Sequence, residues 1–179
     1  KKGVGALGGH SAAETVARGE PAQGVNQAVG ALFQTSAENF LSDMALGEEV
    51  FGSSSIIIRC RDMAEVANVV AGLEGQLTAT LQLDEADIAD ARALLPILAD
   101  RVGRILANGW PTGVEVTHAM VHGGPYPATR DGRTTSVGTL AIHRFLRPVA
   151  FQNLPAALLP TAISDGNTWG VARRIDGRR

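Results

Sequence analysis

Hydrophobic positions along the chain follow two periods in turn. The stretch "QAVGALFQT" (27–35) reads as a strand, and Thr35-Ser36-Ala37-Glu38 then has capping-box spacing, which predicts a short helix through Leu41. "SSIIIRC" (54–60) is a continuous β-branched apolar run, the pattern of a strand covered on both faces. Asp62-Met63-Ala64-Glu65 repeats the capping arrangement and opens a helix whose stripe is Met63, Val66, Val69, Val70 and Leu73, ending near Gly75. "QLTATLQL" (76–83) alternates, with Leu77, Ala79, Leu81 and Leu83 on one side and Thr78, Thr80 and Gln82 on a wetter one. Asp84 caps a long helix with its core stripe at Ile88, Ala91, Leu94, Leu95, Leu98 and Val102; Pro96 removes one intrahelical hydrogen bond and should kink it. "GRILANG" (103–109) closes the series as a further strand. Strand and helix in alternation at this spacing predict an α/β fold, a mostly parallel sheet with helices on both faces.

The two ends differ in texture. Residues 1–26 are rich in Gly and Ala, with a short helix predicted over Ser11–Arg18 and a break at Gly19-Glu20-Pro21. Residues 110–138 hold three prolines, five glycines and no sustained period. A loop this long is usually functional or disordered, and its Trp, Tyr, Met and histidines favour function. "TLAIHRFLRPVAFQ" (139–152) reads as a short helix or turn followed by an apolar strand, and "LPAALLP" (154–160) as a capped turn. The organisation is thus an N-terminal segment (1–26), an α/β portion (27–138), and a C-terminal strand with its tail (139–179).

At 179 residues, 45% hydrophobic and 19% charged, the chain can bury a sizeable core and lacks the composition of a disordered segment. A net charge of −2 gives no electrostatic reason to expect nucleic acid or an anionic membrane as partner. The closing "VARRIDGRR" concentrates arginine and reads as a solvated, frayed tail. No apolar run approaches membrane-spanning length, and the single cysteine, Cys60, suits a reducing, cytoplasmic compartment. Lys1 at the start points to a chain processed, trimmed or cut from something longer.

Few constellations carry chemistry. His118 and His122 are four apart, the spacing of two metal ligands on one helix face, but the flanking Pro and Gly argue against a helix there. Hydrogen-bonding loop histidines are the better reading. Cys60 lies between Arg59 and Arg61, whose charge would lower the pKa of an exposed thiol, yet it has no histidine nearby in sequence and reads as a small buried residue. Phosphate-cradling glycine motifs are absent. Glu48 and Glu49 are adjacent before an extended segment, so their side chains point oppositely and cannot form an acid–base pair. Glu49 and Phe51 fall on one side, a carboxylate beside an aromatic wall, equally compatible with a ligand hydroxyl and with a solvated turn.

These residues carry a resemblance. "LGEEVFGSSSIIIRC" resembles the E-E-[IV]-F-G-P segment of the aldehyde dehydrogenase superfamily. "LEGQLTATLQLD", "GRILANGWPTGVEV" and "HAMVHGGPYPATRDGRTTSVGTLAIHRFLRPVAFQNLP" are similar to one branch, the 2,5-dioxovalerate (α-ketoglutarate semialdehyde) dehydrogenases. The similarity runs in order from about residue 27 to 160, and Ser53 stands where the family usually has proline.

The resemblance implies the C-terminal part of a catalytic domain together with an intersubunit strand, in a homo-oligomer (dimer or tetramer). It implies NAD or NADP as cofactor and an aldehyde, a semialdehyde, as substrate. Glu49 would accept hydrogen bonds from the nicotinamide-side ribose, with Phe51 beside it. His118, Met120, His122 and Tyr126 would line the aldehyde entrance, and "FLRPVAFQ" would complete a neighbour's sheet. The family's nucleophilic cysteine, general-base glutamate, oxyanion-holding asparagine and dinucleotide-binding domain would all fall before Lys1, so this chain alone is expected to be inactive. The competing reading is a stand-alone, non-enzymatic α/β module that keeps the fold and the self-association strand.

Overall fold

The computed structural model describes residues 2–21 and 23–178. The chain forms two compact units, Lys1–Arg144 and Phe145–Arg179. The first holds all the helices and strands longer than a turn: α1 (Lys2–Gly8), β1 (Glu14–Arg18), β2 (Ala31–Ser36), α2 (Ala37–Ser42), β3 (Ser54–Arg59), α3 (Met63–Gly72), β4 (Gln76–Leu81), α4 (Ile88–Arg101) and β5 (Val102–Ala107).

The architecture is mixed α/β with parallel pairings, as the alternation of periods predicts, but the described residues form two sheets rather than one. In the first, β2 is central: β1 pairs with it antiparallel, and β3 pairs parallel with Phe33 beside Ile56 and Thr35 beside Ile58. In the second, β4 and β5 pair parallel, Thr78 beside Arg104 and Thr80 beside Leu106. Helix α3 touches both α2 and α4, and so ties the helical layers of the two sheets together.

The core of the first sheet is assembled around Phe33, among the described residues the one large side chain with no exposed surface. Leu7 from α1, Ala31 from β2, Ala37 and Phe40 from α2, Leu46, and Val69 from α3 surround it, with Ile56, Ile58 and Cys60 partly buried against them. At about 25 cal/mol per Å² of apolar surface removed from water, such a cluster is the main stabilising feature of this half.

Several elements depart from the periodicity. Residues Glu14–Arg18 form a strand, not the predicted helix over Ser11–Arg18. Local Ala and Glu favour a helix, but β2 offers an unpaired edge, and the ladder with Glu14 opposite Gln34 satisfies the backbone better. The helix lies earlier, in the glycine-bearing Lys2–Gly8, where Leu7 anchors it to the core. The cap of α2 is Ser36, whose hydroxyl accepts from the Asn39 amide at 3.2 Å. Thr35, predicted as the start of that motif, is buried and donates its hydroxyl to the Ala12 carbonyl at 2.6 Å.

Strand β3 is not covered on both faces. Burial alternates along it, and Ile57 is 43% exposed, because only the Ile56 and Ile58 side of the sheet meets the core. Asp62 caps α3 as predicted, accepting from the Glu65 amide at 2.9 Å; the helix ends at Gly72, three residues before Gly75. On α4 only Leu94 and Leu98 of the predicted stripe are fully buried, while Leu95 and Ile88 face outward. Pro96 sits inside this helix, which runs on to Arg101.

The predicted strand over Phe145–Gln152 is not formed in the single chain. A 3-10 helix covers Thr139–Phe145 and irregular, exposed backbone follows. An edge-pairing strand has no ladder until another edge meets it. In this second unit the tail is not frayed: the Arg173 guanidinium donates to the carbonyls of Ser164 (2.7 Å) and Ala162 (3.1 Å), and Asn167 brackets Val171 with two bonds.

Candidate functional site

The "EEVF" segment leaves the 3-10 turn Met44–Gly47 in extended conformation, with Glu48 at φ −65°, ψ 136°. Successive side chains therefore diverge. Glu48 borders one cleft with Phe40, Leu41 and Met44, whereas Glu49 borders another with Glu74, Gly75 and Gln76. The two carboxylates share no site. Phe51, 87% exposed, opens onto a third cleft of about 450 Å³, lined by Val4, Arg18 and Val29 among others. Glu49 and Phe51 thus face different clefts.

The Glu49 cleft encloses about 380 Å³. One wall is the start of β4, and the other is Pro127 and Ala128 of the long loop. Backbone packing makes this wall. A Cβ on Gly75 would collide with the carbonyls of Pro125 and Tyr126, and one on Gly103 with the carbonyl of Gly123. Only glycine lets the loop come this close to the ends of β4 and β5. The Gly75 amide donates to the Tyr126 carbonyl at 3.3 Å, and the Tyr126–Pro127 bond is cis.

The other loop residues singled out from the sequence lie apart along the same loop. Tyr126 points to solvent at 80% exposure. Half-buried His122 is held through its backbone: its amide donates to the buried Thr135 hydroxyl at 2.8 Å, and its carbonyl accepts from the amide and hydroxyl of Ser136. His118 is exposed, with Nδ1 2.9 Å from the Thr139 hydroxyl; Met120 is half-buried, its amide donating to the Thr117 carbonyl. Among the described residues no three His, Cys, Asp or Glu side chains gather as a metal site would require.

Cys60, just past the end of β3, is partly buried against the core, in line with its reading as a small buried residue. Burial pushes its thiol pKa up, and the carboxylates of Glu65 and Asp62 push it further. Arg61 does not offset this, because its guanidinium is engaged by Glu65, with Nε donating at 2.7 Å. A thiol held in its neutral form is a poor nucleophile.

Sequence reasoning missed Glu74, the second carboxylate on the Glu49 cleft, and Thr135, the buried hydroxyl that fixes the loop. It also missed Asn108, which adopts φ 52° and holds Leu83 with two bonds of 2.8 Å, to its amide and its carbonyl. The signal for Asn108 was present in "ANG", a turn pair in which Asn tolerates left-handed backbone. Thr135 had none.

No protein-family profile matches the chain. Along 99% of its length it is 51% identical to the alpha-ketoglutaric semialdehyde dehydrogenase 2 of Azospirillum brasilense and 47% identical to the alpha-ketoglutaric semialdehyde dehydrogenase of Acinetobacter baylyi. It spans about a third of the length of these curated relatives, 34% of each. Its fold is similar to part of a betaine aldehyde dehydrogenase from Staphylococcus aureus, solved in complex with NAD+, at a TM-score of 0.56 and 14% identity over 74% of this chain and 25% of that one. No helix among the described residues is long and apolar enough to cross a membrane.

Proposed function

We propose that this chain, similar along its length to about a third of two alpha-ketoglutaric semialdehyde dehydrogenases, is the C-terminal part of a catalytic domain that oxidises a 2,5-dioxovalerate-like semialdehyde to its carboxylate. The cofactor of that reaction, NAD or NADP, supplies the hydride acceptor. The chain's own contribution is positioning. Glu49 accepts hydrogen bonds from the nicotinamide-side ribose, a role its carboxylate suits because two oxygens can take both hydroxyls of a ribose. The Glu49 cleft of about 380 Å³ has room for a sugar ring, whereas Phe51 lies on a separate cleft and forms no wall of this one. His118, Met120, His122 and Tyr126 line the aldehyde entrance. Phe145–Gln152 pairs with a neighbour's sheet edge in a homodimer or tetramer, working in a reducing cytoplasm.

The observation that supports this reading most directly is the cleft that joins Glu49 to Pro127 and Ala128. It sets a ribose-type acceptor against the loop assigned to the aldehyde. The test is Glu49→Gln in the dehydrogenase that carries this chain. A carboxylate-to-amide change keeps shape but replaces one acceptor by a donor, so KM for the cofactor should rise by about tenfold. Unchanged kinetics would remove Glu49 from the site. The chain by itself is expected to form no NAD(P)H from aldehyde; turnover would mean that the nucleophile lies within it. An intact reading frame confined to this α/β module would instead favour the non-enzymatic alternative.

A further inference from the structure

Besides the bond between His118 Nδ1 and the Thr139 hydroxyl, the long loop between Gly109 and Gly138 is held at three places. Its middle is gripped by the glycines that let Gly123–Tyr126 cross the ends of β4 and β5. Its return arm is fixed by Thr135, which accepts from the His122 amide and donates to the Val137 carbonyl, each at 2.8 Å. The outgoing arm, Pro111–Val116, has a different anchor. Arg104 of β5 donates from Nη1 to the Gly113 carbonyl at 2.8 Å and from Nη2 to the Pro111 carbonyl at 3.5 Å. Among the described residues these are the only hydrogen bonds that tie Pro111–Val116 to the rest of the chain.

The guanidinium is well placed for this. Arg104 sits in register beside Thr78, inside the ladder of the second sheet, so its backbone cannot drift. Its Nε is buried without a partner, as is the Thr80 hydroxyl on the adjacent strand. Leaving a buried donor unmade is costly, and it is tolerated where the group's geometry is fixed by its other bonds. A planar fork with two carbonyls is a directional clamp, which the single point charge of lysine cannot reproduce.

We propose that Arg104 is a positioning residue for the aldehyde-facing loop: by clamping Pro111 and Gly113 to β5 it sets where His118 and Met120 stand in the substrate entrance. The inference rests on the reading of that loop as substrate wall, and it adds a residue that touches neither substrate nor cofactor. Because the clamp acts on placement of the wall, its loss falls on aldehyde binding, while cofactor binding at Glu49, walled by β4 and Pro127–Ala128, is untouched.

The experiment compares Arg104→Lys and Arg104→Gln with His118→Ala and Tyr126→Ala in the dehydrogenase that carries this chain, using the semialdehyde as substrate. KM for the aldehyde should rise about fivefold in Arg104→Lys and more in Arg104→Gln, with kcat and the cofactor KM within about twofold of the parent. Amide hydrogen exchange over Val114–Met120 should speed up in both, while the amide of His122, held by Thr135, stays protected. If His118→Ala or Tyr126→Ala raises the aldehyde KM and neither Arg104 variant does, the clamp is wrong and the substrate wall stands. If none of the four moves it, the substrate-wall reading fails and takes the clamp's role with it. An equal loss in kcat and in both KM values would mark Arg104 as a general structural residue and overturn the proposal.

Discussion

The two sheets of the first unit are held by different means. Around β2 the contacts are made by side chains: Phe33 is enclosed by Leu7, Phe40, Leu46 and Val69. At the starts of β4 and β5 the contacts are made by backbone, with Gly75, Gly103 and Gly124 lying against the carbonyls of Tyr126, Gly123 and Gln76. The first kind of packing tolerates hydrophobic substitution of similar volume and punishes truncation. The second inverts this: nothing can be removed from a glycine, and adding one carbon forces two backbones apart. The cleft that contains Glu49 is bounded by the second kind, so its shape depends on the absence of side chains.

Phe33→Ala tests the first half and should give the largest effect. Truncating a wholly buried phenylalanine costs about 3–5 kcal/mol, read as a lower urea midpoint with unchanged slope. A cost under about 1 kcal/mol would mean that the cluster around β2 is not the stabilising centre of this sheet. Gly103→Ala tests the second half. Its Cβ meets the Gly123 carbonyl, which is backbone and cannot rotate away, so a loss of about 1–3 kcal/mol is expected along with faster exchange of the Gly75 amide. Gly5→Ala is the control: nothing lies within 4 Å of its Cβ, and within α1 the change should stabilise by about 0.5–1 kcal/mol. Equal effects at Gly5 and Gly103 would erase the distinction between the two kinds of packing.

The same difference explains what could be read from the sequence. Side-chain packing writes itself as periodicity, and so β2, α3, β4, α4 and β5 were legible to within a few residues. Capping chemistry is equally local: Asp62 caps α3 as its spacing indicates, whereas Asp84 caps the 3-10 turn Glu85–Asp87 that leads into α4, whose own N-cap Asp87 makes no side-chain cap bond. The motif around Glu49 was legible as a family likeness, but its cleft was not, since Pro127 and Ala128 are distant in sequence and reach it through glycines that carry no pattern. Residues Glu14–Arg18 failed for the opposite reason. Their helix propensity is worth a few tenths of a kcal/mol per residue, on the order of what one added ladder bond offsets, and the open edge of β2 decided the outcome. Phe145–Gln152 marks a third limit: an extended apolar run declares strand character, but the partner edge has to come from elsewhere.

Between these extremes lies Thr135, a side-chain hydroxyl that does the work glycine does elsewhere in the loop. It is 3% exposed, and its oxygen serves the His122 amide and the Val137 carbonyl at once. Thr135→Val keeps the shape and leaves both partners unmet, so a loss of about 1–3 kcal/mol is expected, with His122 amide exchange accelerated. Thr135→Ser, which keeps the hydroxyl, should recover most of it. If valine is as good as serine, the loop is held by packing and not by this hydrogen-bond junction.

The smallest effect belongs to a pair on the side-chain-packed half, in which Arg61 is exposed and the Glu65 carboxylate is largely covered. Arg61 and Glu65 bind each other side chain to side chain, and the Glu65 carboxylate also accepts from the Arg61 amide at 2.7 Å. Hydrogen bonding from Arg61 pulls the Glu65 pKa down, and the same partner's charge adds to it. A carboxyl whose folded pKa lies below its unfolded one binds fewer protons in the folded state. Its contribution is therefore fully present above the ordinary carboxylate range and is lost as pH falls through the lowered value. Glu65→Gln should leave α3 capped by Asp62 and flatten the acid limb of the stability profile, while stability at neutral pH moves little because the Arg61 guanidinium is solvated and its charge screened by salt. An acid limb identical to the parent's would show that Glu65 gains no more from Arg61 when folded than when unfolded. The thiol at Cys60, shifted the other way by burial and by Glu65, should in that variant titrate nearer its ordinary value, visible as faster alkylation at alkaline pH.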